Sequence, residues 1–263
     1  MIKVKSGFNP TIPLSHSRIG HQTYTRSGTA TASTSAVDFP AIAALNPLTY
    51  EFWRPTALPA TWTLDAGSSV SGNYIGIASH TLGTSGCTIT IQGSTNNSTY
   101  TTIDSITPTD NSPIMFLFGS VSYRYWRLSI TGSAIPSVGV VYIGTVLEML
   151  RPCYGGLTPI SLSRDTVIRP NRSEGGQWLG RSVIRSGSSM KVGYTNLENN
   201  WVRTTFKDFI DDAVVYPFFF AWRPDNYPED VGYVWVQDDI KPSNMGRNSL
   251  MQVTFDMSGL SSE

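Results

Sequence analysis

"FKDFIDDAVVYPFFFAWRPDNYPEDVGYVWV", residues 206–236, changes its hydrophobic period twice. Val202, Phe206, Phe209, Ile210 and Ala213 recur at i, i+4, i+7, i+8 and i+11, one helical stripe, with Lys207, Asp208, Asp211 and Asp212 opposite. Asn199 or Asn200 is placed to cap that helix. Pro217 cannot continue it and suits the first position of a strand. "FFFAW" and "YVWV" then read as a hairpin around the turn-rich "RPDNYPEDVG". Alternation sends Phe219 to the face opposite Phe218 and Phe220, and one helix covers only one face of a sheet. The other face needs a cover. With Trp222 close by it reads as an apolar patch of the kind that marks an interface. Phe206, Phe218, Phe219, Phe220 and Trp222 are therefore the candidate assembly residues, covered by the next copy in a closed ring. The alternative is that an N-terminal arm or the first half of the chain covers that face from within.

Working outward, "SVIRSG" and "MKVGYTN" precede the helix as strand-like runs, and "LMQVTFDM" follows as a closing strand. "RPCYGGLTP" (151–159) reads as a linker. From 36 to 150, "YEFWRP", "WTLDAG", "YIGIASH", "CTITIQGS", "YTTIDSI", "IMFLFG", "YRYWRLSIT" and "VGVVYIGTVLEML" are short β-branched and aromatic runs. Turn clusters separate them at the spacing of a sandwich or barrel. Ile89 and Ile91 share one face of "CTITIQ", Thr88 and Thr90 the other. In "YRYWRLSIT", Tyr123, Tyr125, Arg127 and Ser129 fall on one face and Arg124, Trp126, Leu128 and Ile130 on the other; Trp126 and Leu128 are expected in the core and an arginine across neighbouring loops. Residues 1–35, with the small-residue run "SGTATASTSA", read as an extended arm. The expected chain is mainly β: an arm (1–35), an antiparallel β-sandwich (36–150), then a sandwich or barrel with one α-helix (151–263).

The 263 residues, 28.8 kDa, suffice for one large or two ordinary domains. Charged residues make up 14%, below the roughly 25% usual for soluble domains. Lys plus Arg and Asp plus Glu are both 19, so no charge excess points to nucleic acid or an anionic membrane. Such a surface has little colloidal repulsion and tolerates self-association. Cys87 and Cys153 lie in no CxxC pair and read as free thiols. The N-terminus lacks the apolar core of a signal peptide, and no run approaches the roughly 18 apolar residues of a membrane span. The expectation is a protein made in a cytoplasm, kept there or released by lysis. The sequons at Asn96, Asn97 and Asn171 read as chance matches.

Catalytic and cofactor signatures are absent: there is no GxxxxGK[ST], GxGxxG, HExxH or GxSxG. His16, His21 and His80 have no metal-ligand spacing and read as loop or core histidines. The neighbours Asp211–Asp212, Glu229–Asp230 and Asp238–Asp239 point apart along a helix or strand. Paired-carboxylate chemistry needs groups converging about 5–9 Å apart, so all three read as solvated surface. No catalytic residue, metal or cofactor is expected. Aromatic rings and amides in loops near Trp53, Trp62, Tyr74, Asn96, Asn97 and Tyr100 are the candidate ligand contacts, suited to stacking on a sugar.

"NYIGIASHTLGTSGCTITIQGSTNNSTYTTI" with "FGSVSYRYWRLSIT" resembles the discoidin or galactose-binding-like β-sandwich, over roughly residues 36–150. Ser94, Asn96, Asn97 and Tyr100 sit where that family has its "S-D-G-x-x-W/Y" turn, and Tyr123 to Leu128 match its "aRYwRl" strand. Asn96 and Asn97 replace the usual acidic residue and glycine. The resemblance implies a jelly-roll whose ligands bind at loops on one end. Residues 203–257 are similar in pattern to the tail-tube-type domain of distal-tail or minor tail proteins of long-tailed bacteriophages. That implies a structural virion protein of a tail tip or baseplate. It would form a homo-oligomeric ring, hexamer or trimer, beside other phage tail proteins and touch host surface polysaccharide. A stand-alone carbohydrate-binding module is the alternative, and a glycan-acting enzyme the third.

Overall fold

A computed structural model describes residues 1–153, 155–246 and 249–260. Its strands are β1 (Ile2–Val4), β2 (Arg18–Gly20), β3 (Thr29–Ala32), β4 (Ala60–His80), β5 (Thr88–Ser94), β6 (Thr101–Ile106), β7 (Ile114–Thr131), β8 (Val138–Gly144), β9 (Leu147–Glu148), β10 (Arg164–Arg172), β11 (Trp178–Glu198), β12 (Phe218–Ala221), β13 (Val231–Val236), β14 (Ser243–Asn244) and β15 (Leu250–Leu260). They form two sheets, antiparallel except where β1 joins β7. The chain is mainly β, as expected.

The first sheet runs β3-β4-β7-β5-β6, with β1 on β7 and β8 on β4. Two expected pairs of strands are single long ones: "WTLDAG" and "YIGIASH" join in β4, "IMFLFG" and "YRYWRLSIT" in β7. Their ladder slips between Asp65 and Val70 and again between Gly72 and Tyr74. Gly67, at φ 80°, lies in the slip, where a side chain would strain the backbone. The sheet folds over there, and both halves share one core: Trp62, Leu64, Trp126, Leu128, Ile89 and Ile91 with Ile75, Ile77, Phe116 and Ile143. The same slip breaks the expected alternation in "YRYWRLSIT". Arg124 leaves the Trp126 face and pairs with Asp65 at 2.8 Å, while Tyr123 packs edge-on to Trp126. "YEFWRP" is no strand, contributing a single bridge from Trp53 to Val138.

The second sheet runs β10-β11-β15-β13-β12-β2-β9, with β14 on β15. A helical segment packs on it: α1 (Asn199–Trp201), a π turn (Val202–Phe206) and α2 (Lys207–Ala213). Val202, Phe206, Phe209 and Ala213 are buried against Phe218, Phe220, Val253 and Phe255, as the helical stripe requires. Neither Asn199 nor Asn200 caps it. Glu198 is the N-cap residue without a side-chain bond, and Asn199 instead accepts from Arg203 Nε.

Residues 1–35 are not an arm. β1 pairs with β7 in the first sheet, β2 lies between β12 and β9 in the second, and β3 edges β4. Arg18 is buried because its guanidinium donates to the carbonyls of Ile12, Pro13 and His16 and faces Glu148 at 3.5 Å. "VGVVYIGTVLEML" likewise splits, β8 in the first sheet and β9 in the second. The chain that builds the first sheet is thus sewn into the second at β2 and at β9. The expected linker 151–159 includes Tyr154, which lies outside the described residues.

The assembly reading of the aromatic run is overturned. Phe206, Phe218, Phe219 and Phe220 are all buried inside one chain, and Trp222 is half-buried, stacked on Tyr227. Phe219 does point away from its neighbours, but the sandwich covers it: it packs against Tyr142 at 5.5 Å and Tyr233 at 5.0 Å. Tyr74, Ala78, Met115, Leu117 and Val140 complete that seam with Ala221 and Val231. Close approach depends on missing side chains. A Cβ on Gly76 would lie 2.5 Å from the Phe219 ring, and one on Gly20 2.4 Å from Tyr74. Each seam tyrosine donates its hydroxyl to a carbonyl: Tyr74 to Gln22, Tyr142 to Pro217 and Tyr233 to Pro47. Burial raises all three phenols, Tyr74 and Tyr233 well above the usual range.

Candidate functional site

Where β4 ends, the first sheet meets the base of the β10–β11 hairpin, and an open cleft of about 760 Å³ lies between them. Thr49, Phe52, Ser79, His80, Thr81, Asn111 and Ser137 line one wall; Asp165, Val167, Arg185, Ser186, Trp235 and Ser258 line the other. Pairing sets the second wall. Val167 stands opposite Arg185, and Asp165, two residues along β10, shares their face. Trp235 stands opposite Ser258 on β13 and is 41% exposed.

The first wall is rigid. Ser79 takes a left-handed backbone (φ 52°) and donates its hydroxyl to Thr49 O. Thr81 and Ser137 bond through their hydroxyls at 3.2 Å. Asn111 Oδ1 accepts from Thr84 N. Phe52 stacks on Phe39 at 4.8 Å, with Arg54 over both rings.

His80 is buried, donates from Nε2 to Ser112 O at 2.9 Å and accepts at Nδ1 from Leu82 N. Burial lowers its pKa to about 4, so it stays neutral. With both ring nitrogens engaged it has no lone pair for proton transfer. Asp165 is the only carboxylate among the described lining residues, so the cleft lacks the converging pair that glycoside hydrolysis uses. Among the described residues no group of three His, Cys, Asp or Glu side chains is arranged to hold a metal ion, and no helix is long and apolar enough to cross a membrane. What the cleft can do is stack, donate and accept.

The residues expected to touch a ligand are placed elsewhere. Trp53 and Trp62 are fully buried, their indole N–H groups donating to Thr34 O and Ala41 O. Tyr74 is sealed in the seam. These three meet no ligand, because aromatic β-runs supply the core before the surface. Asn96, Asn97 and Tyr100 do lie outside, on a turn beside Tyr125, but that turn uses their polar groups. Asn96 Oδ1 accepts from Ser98 N and Thr99 N, Asn97 takes φ 58° and accepts from the Tyr100 hydroxyl, and Arg127 covers the Tyr100 ring at 3.4 Å. The three histidines are held by protein groups: His16 by Met149 O, His21 by Asp212 and His80 by Ser112 O. The acidic neighbours are not all solvated. Asp230 is buried and accepts from Ser161 N and Oγ, and Asp212 accepts from His21 and Arg26. Cys87 is buried and forms no disulfide, nor does Cys153.

The cleft was missed in the sequence because its walls come from many separate segments, Thr49 to Ser137 on one side and Asp165 to Ser258 on the other. The one local signal was Trp235, a tryptophan on the outward side of "YVWV".

No protein-family profile matches this chain, and no curated protein matches it. Among solved structures, it is similar to a chitosan-binding module of a chitosanase/glucanase from Paenibacillus sp. IK-5: 20% identity, 47% of this chain, 98% of that one, TM-score 0.42. It is similar to the CpGH89CBM32-5 module from Clostridium perfringens, bound to GalNAc-β-1,3-galactose: 15% identity, 46% of this chain, 98% of that one, TM-score 0.42. The same holds for the CBM32 module of AlyQ bound to 4,5-unsaturated mannuronic acid: 19% identity, 44% and 92% coverage, TM-score 0.39. Less than half of this chain thus spans nearly the whole of each module. Likeness at this level assigns this chain no ligand. Nothing in these comparisons bears on the tail-protein resemblance.

Proposed function

We propose that this chain is a non-catalytic glycan-binding protein whose site is the cleft between the sandwich and the second sheet. One observation carries the reading: the exposed Trp235 faces a fixed set of hydroxyls and an amide, with Asp165 and Arg185 at the same mouth. A pyranose has an apolar C–H face and a rim of hydroxyls that donate and accept. Such a ligand suits an open cleft with an aromatic floor and few convergent polar groups. Asp165 accepts from vicinal hydroxyls, Arg185 donates to ring or carboxyl oxygens, and neither forms an ion pair with a described residue.

A glycan array probed with the full chain, followed by titration calorimetry on any hit, tests this. Trp235→Ala should weaken binding at least tenfold, about 1.4 kcal/mol, without a change in melting temperature. Silence across bacterial and host polysaccharides, or binding indifferent to Trp235→Ala, overturns it.

A structural role in a phage tail tip is the second reading. It is favoured by one observation, the bare apolar hairpin of β10 and β11, which suits a subunit built to meet neighbours.

A further inference from the structure

β10 and β11 pair over residues 164–188 and leave the body of the protein as a two-stranded hairpin roughly 30 Å long at 3.3 Å per residue. A hairpin alone in water is marginally stable, and one that meets only solvent exposes little contiguous apolar surface. This one is the reverse. Trp178, Leu179, Val183 and Ile184 are 60%, 64%, 59% and 64% exposed, and Ile168, directly opposite Val183, adds to them. The ladder slips twice, and the residues skipped by the slips are Ile184 and Leu179. Each bulge therefore turns an extra apolar side chain to the outside. Both edges of the hairpin are free: on β10 Pro170 removes a donor and Arg164, Arg169 and Arg172 add charge, and on β11 Arg181, Arg185 and the two bulges interrupt the edge, so strand addition is disfavoured along either. Contact by side chains is left.

The hairpin is basic: between 164 and 187 five arginines (Arg164, Arg169, Arg172, Arg181, Arg185) face Asp165 and Glu174. The chain as a whole is neutral, so the rest carries the opposite excess. It is concentrated from Lys207 to Asp239, with eight Asp or Glu against Lys207 and Arg223. In that stretch lies a hollow of about 330 Å³ lined by Leu48, Val214, Val215, Pro217 and Val236, with both valines at the helix end largely exposed. It continues across Val236 to Asp238 and Asp239. Asp239 already faces Lys241 at 3.5 Å, while Asp238 has no ion pair with a described residue. An apolar hollow with an acidic rim matches an apolar arm flanked by arginines.

We infer that the β10–β11 arm docks head to tail on a second copy of this chain, its apolar residues in the Val214–Val215 hollow and its arginines beside Asp238 and Asp239. The contact joins two different surfaces, so it repeats from copy to copy, closing as a ring or running on as a filament. Its arm shares Arg185 with the glycan cleft, and Trp235 borders both cleft and hollow, but its test reads association and not sugar binding. Where both hold, repetition raises weak single-site sugar binding through avidity.

Sedimentation of the full chain over a wide concentration range tests the inference. Wild type should associate as concentration rises. Arg181→Glu with Arg185→Glu, and separately Asp238→Arg with Asp239→Arg, should each weaken association at least tenfold, since each places like charges together. All four positions are exposed, so melting temperatures should match wild type. Mixing the two variants should restore association, because the acidic arm of one then meets the basic hollow of the other. Wild type that stays monomeric up to its solubility limit overturns the inference. So does association that survives either reversal, or two losses that mixing does not repair.

Discussion

Two apolar stretches of this chain have exchanged the roles their residues suggest. "FFFAW" carries three consecutive phenylalanines, reads as a surface awaiting a neighbour, and is sealed inside one chain. "DTVIRPNRSEGGQWLGRSVI", 165–184, is broken by arginine, glycine and proline, and only its last three residues belong to a run that reads as a strand. Six of its large apolar side chains are nevertheless exposed, Val167, Ile168, Trp178, Leu179, Val183 and Ile184. Hydrophobicity says that a side chain will be covered when something is in reach. It does not say by what. Phe219 is covered because Gly76 and the seam tyrosines let the sandwich approach. Trp178 and Ile184 are uncovered because a hairpin that long leaves every other element of its own chain behind.

The largest expected effect breaks this contrast at the seam. Phe219→Asp deletes a ring with no exposure and puts an unpaired carboxylate among Tyr142, Tyr233 and Gly76. Removing a buried Phe costs about 3–5 kcal/mol, and an uncompensated buried charge adds several more. Together these approach the whole of a typical stability of about 5–15 kcal/mol. The variant should be insoluble or unfolded by circular dichroism. A soluble, cooperatively melting Phe219→Asp monomer would restore the inter-chain interface and dismantle the seam.

How much of this was legible follows the range of the signals. The helical stripe, the Phe218–Ala221/Val231–Val236 hairpin and the inward faces of Ile89, Ile91, Trp126 and Leu128 all rest on local spacing in the sequence, and all are present. Long-range facts were not. β2 has three residues, too few for a period, and Arg18 in it looks like surface until its carbonyl partners are in place. β10 was overlooked because Pro170 and its arginines contradict a buried strand, and it is not buried. The candidate ligand residues failed for a related reason. A tryptophan suits a sugar face and a core equally, and sequence alone does not assign Trp53 or Trp62 to one of them.

An intermediate effect comes from acid. An unfolded histidine titrates near 6.5; burial holds His80 to about 4. Between those values the unfolded chain takes up a proton that the folded chain refuses. Stability therefore falls as pH drops from about 6.5 towards 4, by roughly 3 kcal/mol at about 1.4 kcal/mol per unit. His21, also lowered by burial, adds in the same direction. Melting temperatures measured between pH 7 and 4 should fall in wild type and fall less in His80→Asn. Equal slopes would mean that the wall of the cleft admits water and the imidazole ionises in place.

The smallest effect is the sharpest test of the other half of the comparison. Leu179→Ser with Ile184→Ser removes two large apolar side chains, a change that in the seam would be ruinous. Both are bulge residues outside the regular ladder, and each is already about two-thirds in water. The folded and unfolded chains hydrate these groups nearly alike, so there is little transfer free energy to lose. Backbone pairing from Arg164 to Arg172 does not depend on them. Thermal unfolding should shift by no more than about 0.5 kcal/mol, the usual limit for exposed substitutions, and solubility should rise as the bare surface shrinks. A loss of 2 kcal/mol or more, by the same scale, in a dilute sample would mean that the arm is covered within its own chain. Trp178 and its neighbours would then be core, as Phe219 is.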